Sequence, residues 1–135
     1  VVALGAAAVI LLLLTNSPTP AREVDLRGTS WQVVQLGNQS PPRPQTLTFH
    51  STLSSVVVDT GCRSLTFEYG LDTDGDAISF REVPSGGSQC SGDGADWDRL
   101  VTEALTNADG WAVDAPTAIR VIGRSGVDMR LDMIP

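Results

Sequence analysis

From Trp31 onward, apolar and polar positions alternate with a period of two in one short segment after another. "SWQVVQL" (30–36) reads as a strand stopped at Gly37-Asn38. "TLTFH" (46–50) places Leu47 and Phe49 on one face, and "SVVVDT" (55–60) is a buried or half-buried strand ended by Gly61. "SLTFEYG" (64–70) sets Leu65, Phe67 and Tyr69 against Thr66 and Glu68. A turn at "DTDGD" (72–76) then leads to "AISF", with Ile78 and Phe80 inward. Between the first two strands, "NQSPPRPQ" (38–45) is a Pro-rich loop that cannot pair in the centre of a sheet.

The period changes at Trp97. Trp97, Leu100, Val101, Ala104 and Leu105 form one helical stripe, with Asp93 or Asp96 available as the N-cap and Gly110 just past the end. Alternation returns in "WAVD", "AIRVIG" and "VDMRLDM", the last with Val127, Met129 and Leu131 facing in. The expectation is a mainly β (α+β) domain: a curved antiparallel sheet or partly closed barrel of seven or eight short strands packed on one α-helix. Trp31, Trp97 and Trp111 are expected in its core.

The N-terminus changes the picture. Residues 1–14, "VVALGAAAVILLLL", carry no polar side chain, and the first charge is Arg22. Such a run suits a membrane anchor or a signal segment, and the weak cleavage pattern at Thr19-Pro20-Ala21 favours an uncleaved N-terminal apolar helix. The expected organisation is 1–16 anchor or signal segment, 17–25 linker and 26–135 domain. The domain then lies on the extracytoplasmic side of a cell membrane, or is secreted if the segment is cleaved. Ala3 and Ala7, four apart, share one helix face and allow another membrane helix to approach closely. A protein partner in or at the membrane is the expectation that follows.

The net charge of −7 falls entirely on the part after the apolar run, which holds nine arginines and no lysine. An acidic surface of this kind excludes nucleic acid, whose phosphates need a basic patch. The only cysteines, Cys62 and Cys90, are expected to form a disulfide in an extracytoplasmic domain; free thiols or half of a metal site are the alternatives.

Candidate chemistry is sparse. His50 is the only histidine and adjoins Ser51, the pair a small hydrolase would use, but no Gly-x-Ser-x-Gly elbow exists in the chain. Asp72, Asp74 and Asp76 supply the start of a calcium loop. Its sixth and twelfth positions would be Ala77 and Val83, which do not fit. No catalytic, cofactor or metal residue is assigned, and no cofactor is expected.

The order of features resembles the META/HslJ-like domain family. "LRGTSWQVVQL" (26–36) is similar to that family's opening Leu-x-Gly-Thr-x-Trp strand, and "TLTF" to its second strand. Gly61-Cys62 stands where the family carries Gly-Cys-Asn, and "FEYG" with "DGDAISF" resembles its hairpin. Cys90 falls before the helix "ADWDRLVTEAL", followed by Trp111 and the closing "IRVIG…MRLDMI". Arg63 replaces the family's Asn, and "PSGGSQC" lacks its Thr-x-x-x-Cys pattern. The resemblance implies an envelope or secreted domain, often membrane-tethered and linked to stress tolerance or virulence, with no catalytic residue set. It also implies that Gly61-Cys62 is a turn whose thiol ties the sheet to the helix-entry loop.

Overall fold

Strands β1 (Ser30–Leu36), β2 (Thr46–Phe49), β3 (Ser55–Asp59), β4 (Ser64–Leu71) and β5 (Ile78–Val83) precede helix α1 (Asp93–Thr106). Strands β6 (Ala108–Ala115), β7 (Ala118–Gly123) and β8 (Asp128–Ile134) follow it. The computed structural model describes residues 25–72, 77–84 and 90–135. The eight strands form one sheet in the order β5-β4-β3-β2-β1-β8-β7-β6, with every pairing antiparallel. A single bridge between Ala77 and Gly110 brings the β5 edge to β6, so the sheet is a nearly closed barrel.

Alternation along each strand fills the interior. Trp31 and Val33 of β1, Leu47 and Phe49 of β2, Val56 and Val58 of β3, and Leu65 and Phe67 of β4 are all buried. In β1 the ladder shifts register between Val33 and Gln35. This bulge inserts one residue and changes the parity, so Leu36 rather than Gln35 points inward. Phe49 meets Tyr69 edge-on, with ring centroids 5.1 Å apart. Burying this contiguous apolar set is the main driving force for the fold.

The two barrel ends differ. Ser30 lies opposite Thr48 on one side and Ile134 on the other, at the end where the chain enters through Asp25–Thr29. There the Thr29 hydroxyl bonds the Leu26 carbonyl and accepts the Trp31 indole N–H at 2.8 Å. Leu36, at the far end of β1, lies near α1, which covers that second mouth with Val101, Ala104 and Leu105 turned inward.

Several expectations need correction. Neither Asp93 nor Asp96 caps α1: the N-cap is Gly92, at φ 63°, and both carboxylates sit in the first turn. There they still favour the positive end of the helix dipole. The helix ends at Asn107, and Gly110 belongs to β6, where it faces Ile122. Val127 precedes β8 and is exposed rather than inward, because the β7–β8 turn holds it off the barrel. Trp31 and Trp111 are buried, whereas Trp97 packs half-buried against the core. The N-terminal apolar run, with Ala3 and Ala7, lies outside the described residues; among those, no helix is long and apolar enough to cross a membrane.

Candidate functional site

The most elaborate polar arrangement sits at the mouth covered by α1. β3 and β4 are joined by a turn over Thr60–Arg63, closed by the Thr60 N–H donating to the Arg63 carbonyl at 3.0 Å. Gly61 occupies the left-handed region there, at φ 85°, and a Cβ would come within 3.2 Å of the Arg43 Cβ. The turn therefore requires glycine both for its backbone and for the loop packed on it. Cys62 follows directly and is bonded to Cys90, with 6.0 Å between Cα atoms, which fixes the strand turn to the segment entering α1.

Arg63 reaches the helix. Its Nε and Nη2 donate to Oδ1 and Oδ2 of Asp98 at 2.9 and 2.7 Å, a bidentate pair with fixed geometry. The Thr60 hydroxyl donates to Asp98 Oδ1 at 2.8 Å, and Gln45 Nε2 donates to the Thr60 carbonyl at 2.9 Å. Burial pushes the Asp98 carboxyl up, but the Arg63 guanidinium and the Thr60 hydroxyl together hold it below the usual carboxylate range. The chain Gln45–Thr60–Asp98–Arg63 thus joins the entry to β2, the β3–β4 turn and α1. Gln45 is buried, and its Oε1 accepts no hydrogen bond from any described residue.

Two concave sites flank α1 at this mouth. A small cleft of about 20 Å³ lies against Gln45, Thr60, Asp93 and Trp97. A larger groove of about 250 Å³ runs between the C-terminal half of α1 and two turns, with Leu36, Leu100, Ala104 and Val127 as its apolar wall. Asn38, Gln39, Glu103 and Asn107 add polar groups around it. The Pro-rich loop connects the two, contributing Asn38 and Gln39 to the groove and Pro42, Arg43 and Gln45 to the cleft.

The residues singled out from sequence fall elsewhere. His50 is at the opposite end, where its Nδ1 accepts the backbone N–H groups of Thr52 and Leu53 at 3.1 and 3.0 Å. That nitrogen is committed to the loop, and Ser51 makes no hydrogen bond to the ring. Asp72 accepts the Ala77 N–H at 3.3 Å, while Asp74 and Asp76 lie outside the described residues. Among the described residues, no group of three or more His, Cys, Asp or Glu side chains is arranged to hold a metal ion. Sequence reasoning missed Asp98, Thr60 and Gln45. The available signal was Asp98 at helical spacing with Val101 and Leu105, which puts a carboxylate on the buried stripe.

Comparison with known proteins bears on the fold and the family. An NMR structure of a protein from Burkholderia xenovorans is similar, with a TM-score of 0.66 and 20% identity over 87% of this chain and 92% of that one. A crystal structure of a DUF4847 family protein from Bacteroides vulgatus is similar as well. Its TM-score is 0.62 at 10% identity, over 82% of this chain and 96% of that one. At such identities the likeness is one of fold alone. No curated protein matches the chain. The META domain model matches residues 24–132, from the segment before β1 into β8 and through both cysteines and α1. By that match the chain belongs to the META domain family.

Proposed function

We propose that this chain is a non-catalytic envelope domain, tethered to the membrane by its N-terminal segment, that binds or stabilises a protein partner. The observation that carries the reading is the Cys62–Cys90 disulfide across the α1 mouth. A bond of this kind persists in oxidising compartments, and the apolar run at 1–14 provides the route to one. The geometry of the barrel supports the rest. β1 starts beside the chain entry and ends at Leu36 in the groove, so about 20 Å of strand separates tether from groove. On this reading the groove faces away from the bilayer and is open to a partner. The reading extends to an accessory subunit of a membrane complex, with Ala3 and Ala7 against a partner helix, and to a role in stress tolerance.

Photocrosslinking in intact cells tests it. A photoreactive side chain at Val127, beside the groove, is expected to give an adduct of defined mass, and one at Thr48, on the outer sheet face, is not. Absence of any Val127 adduct from a membrane-held, folded chain would remove the groove from the account.

A further inference from the structure

We infer that the chain-entry end of the barrel rests on the lipid surface, with Leu53 as its inserted side chain. This rests on the proposed tether. Leu53 is 59% exposed, the most exposed large hydrophobic among the described residues. It stands on the β2–β3 loop, "HSTLS" (50–54), which has hydroxyls on both sides of it and no carboxylate. The loop is held in shape: His50 Nδ1 binds the backbone N–H groups of both Thr52 and Leu53, so the leucine is presented from a fixed turn.

Its position gives the occupant. The loop follows Phe49, whose carbonyl accepts the Gly28 N–H at 3.1 Å, so Leu53 emerges next to the segment through which the chain enters. Ile134, also exposed, sits on the other side of Ser30 at the same end. Ten residues separate Leu14 from Asp25, a length that spans at most about 35 Å, so a tethered domain stays within that distance of the bilayer. Glu68, beside the loop, is paired with Arg81, and Asp25, at the chain entry, with Arg27. A single leucine held at this height adds apolar contact at the interface and orients the groove outward.

The full chain in phosphatidylcholine nanodiscs carrying a headgroup-attached nitroxide lipid provides the test. Paramagnetic broadening is expected to attenuate the amide signals of Leu53 and Ser54 several-fold more than those of Asn38 and Val127. Leu53→Asp, whose side chain is exposed and leaves the His50 bonds in place, is expected to bring Ser54 down to the Val127 level while the chain stays in the disc. Equal attenuation at both ends of a disc-bound chain would overturn the lipid contact and leave the tether standing. Failure of the chain to enter discs would overturn both.

Discussion

Arg63 and Asp98, 35 positions apart, face each other through two hydrogen bonds of 2.9 and 2.7 Å, with side chains 29% and 8% exposed. The arginine crosses from the β3–β4 turn to α1. Breaking the pair on the arginine side leaves a nearly buried carboxylate with only the Thr60 hydroxyl. Arg63→Ala is therefore expected to lower unfolding free energy by about 3 kcal/mol. Urea denaturation measures it, and a loss under about 0.5 kcal/mol, the level of an exposed pair, would contradict it.

The same pair sets an acid limit. Because the Asp98 carboxyl is held below its ordinary value in the folded state, its contribution is complete above the unfolded aspartate range near 3.9. It is lost as pH falls through the lower folded value. Asp98→Asn should be less stable than the parent at neutral pH and should show a flatter decline below about pH 4. Parallel pH–stability slopes for the two proteins would refute the assignment.

Reduction of Cys62–Cys90 is expected to cost about 3–4 kcal/mol, the chain-entropy value for a 28-residue separation. Non-reducing intact-mass analysis after alkylation of exported protein should find no modified thiol. Two alkylated cysteines would remove the covalent link between the turn and the helix entry.

Gly123 ends β7 beside the groove, and a Cβ there would fall 2.6 Å from the Val127 carbonyl oxygen. That neighbour is backbone, so the β7–β8 turn has to shift to admit alanine. Gly123→Ala is expected to destabilise by about 1–3 kcal/mol, read from the thermal midpoint, and to displace Val127. Gly92→Ala has nothing within 4 Å of its Cβ and strains only its φ of 63°, so it separates crowding from backbone cost.

The strands were legible because each buries one face, and period-two alternation records that face directly. Boundaries drifted where local irregularity intervened. The β1 bulge changes parity at Leu36, and Val127 sits in a turn although it continues the alternation of Met129 and Leu131. The helix stripe was visible, but Asp98 was not counted in it, because its burial depends on an arginine supplied from a distant turn. No local pattern announces such a partner. Gln45 and Thr60 were hidden for the same reason, as their bonds join segments far apart in the chain. His50 drew attention as a lone imidazole, yet its work is to close its own loop.

The central claim, a domain tethered on the outer side of a membrane, is tested most directly by protease shaving of spheroplasts expressing the full chain with a C-terminal tag, followed by carbonate extraction. The account predicts that the untreated chain stays with carbonate-washed membranes and that external protease removes the tag before lysis. A chain that carbonate releases, or whose tag is digested only after lysis, would contradict it.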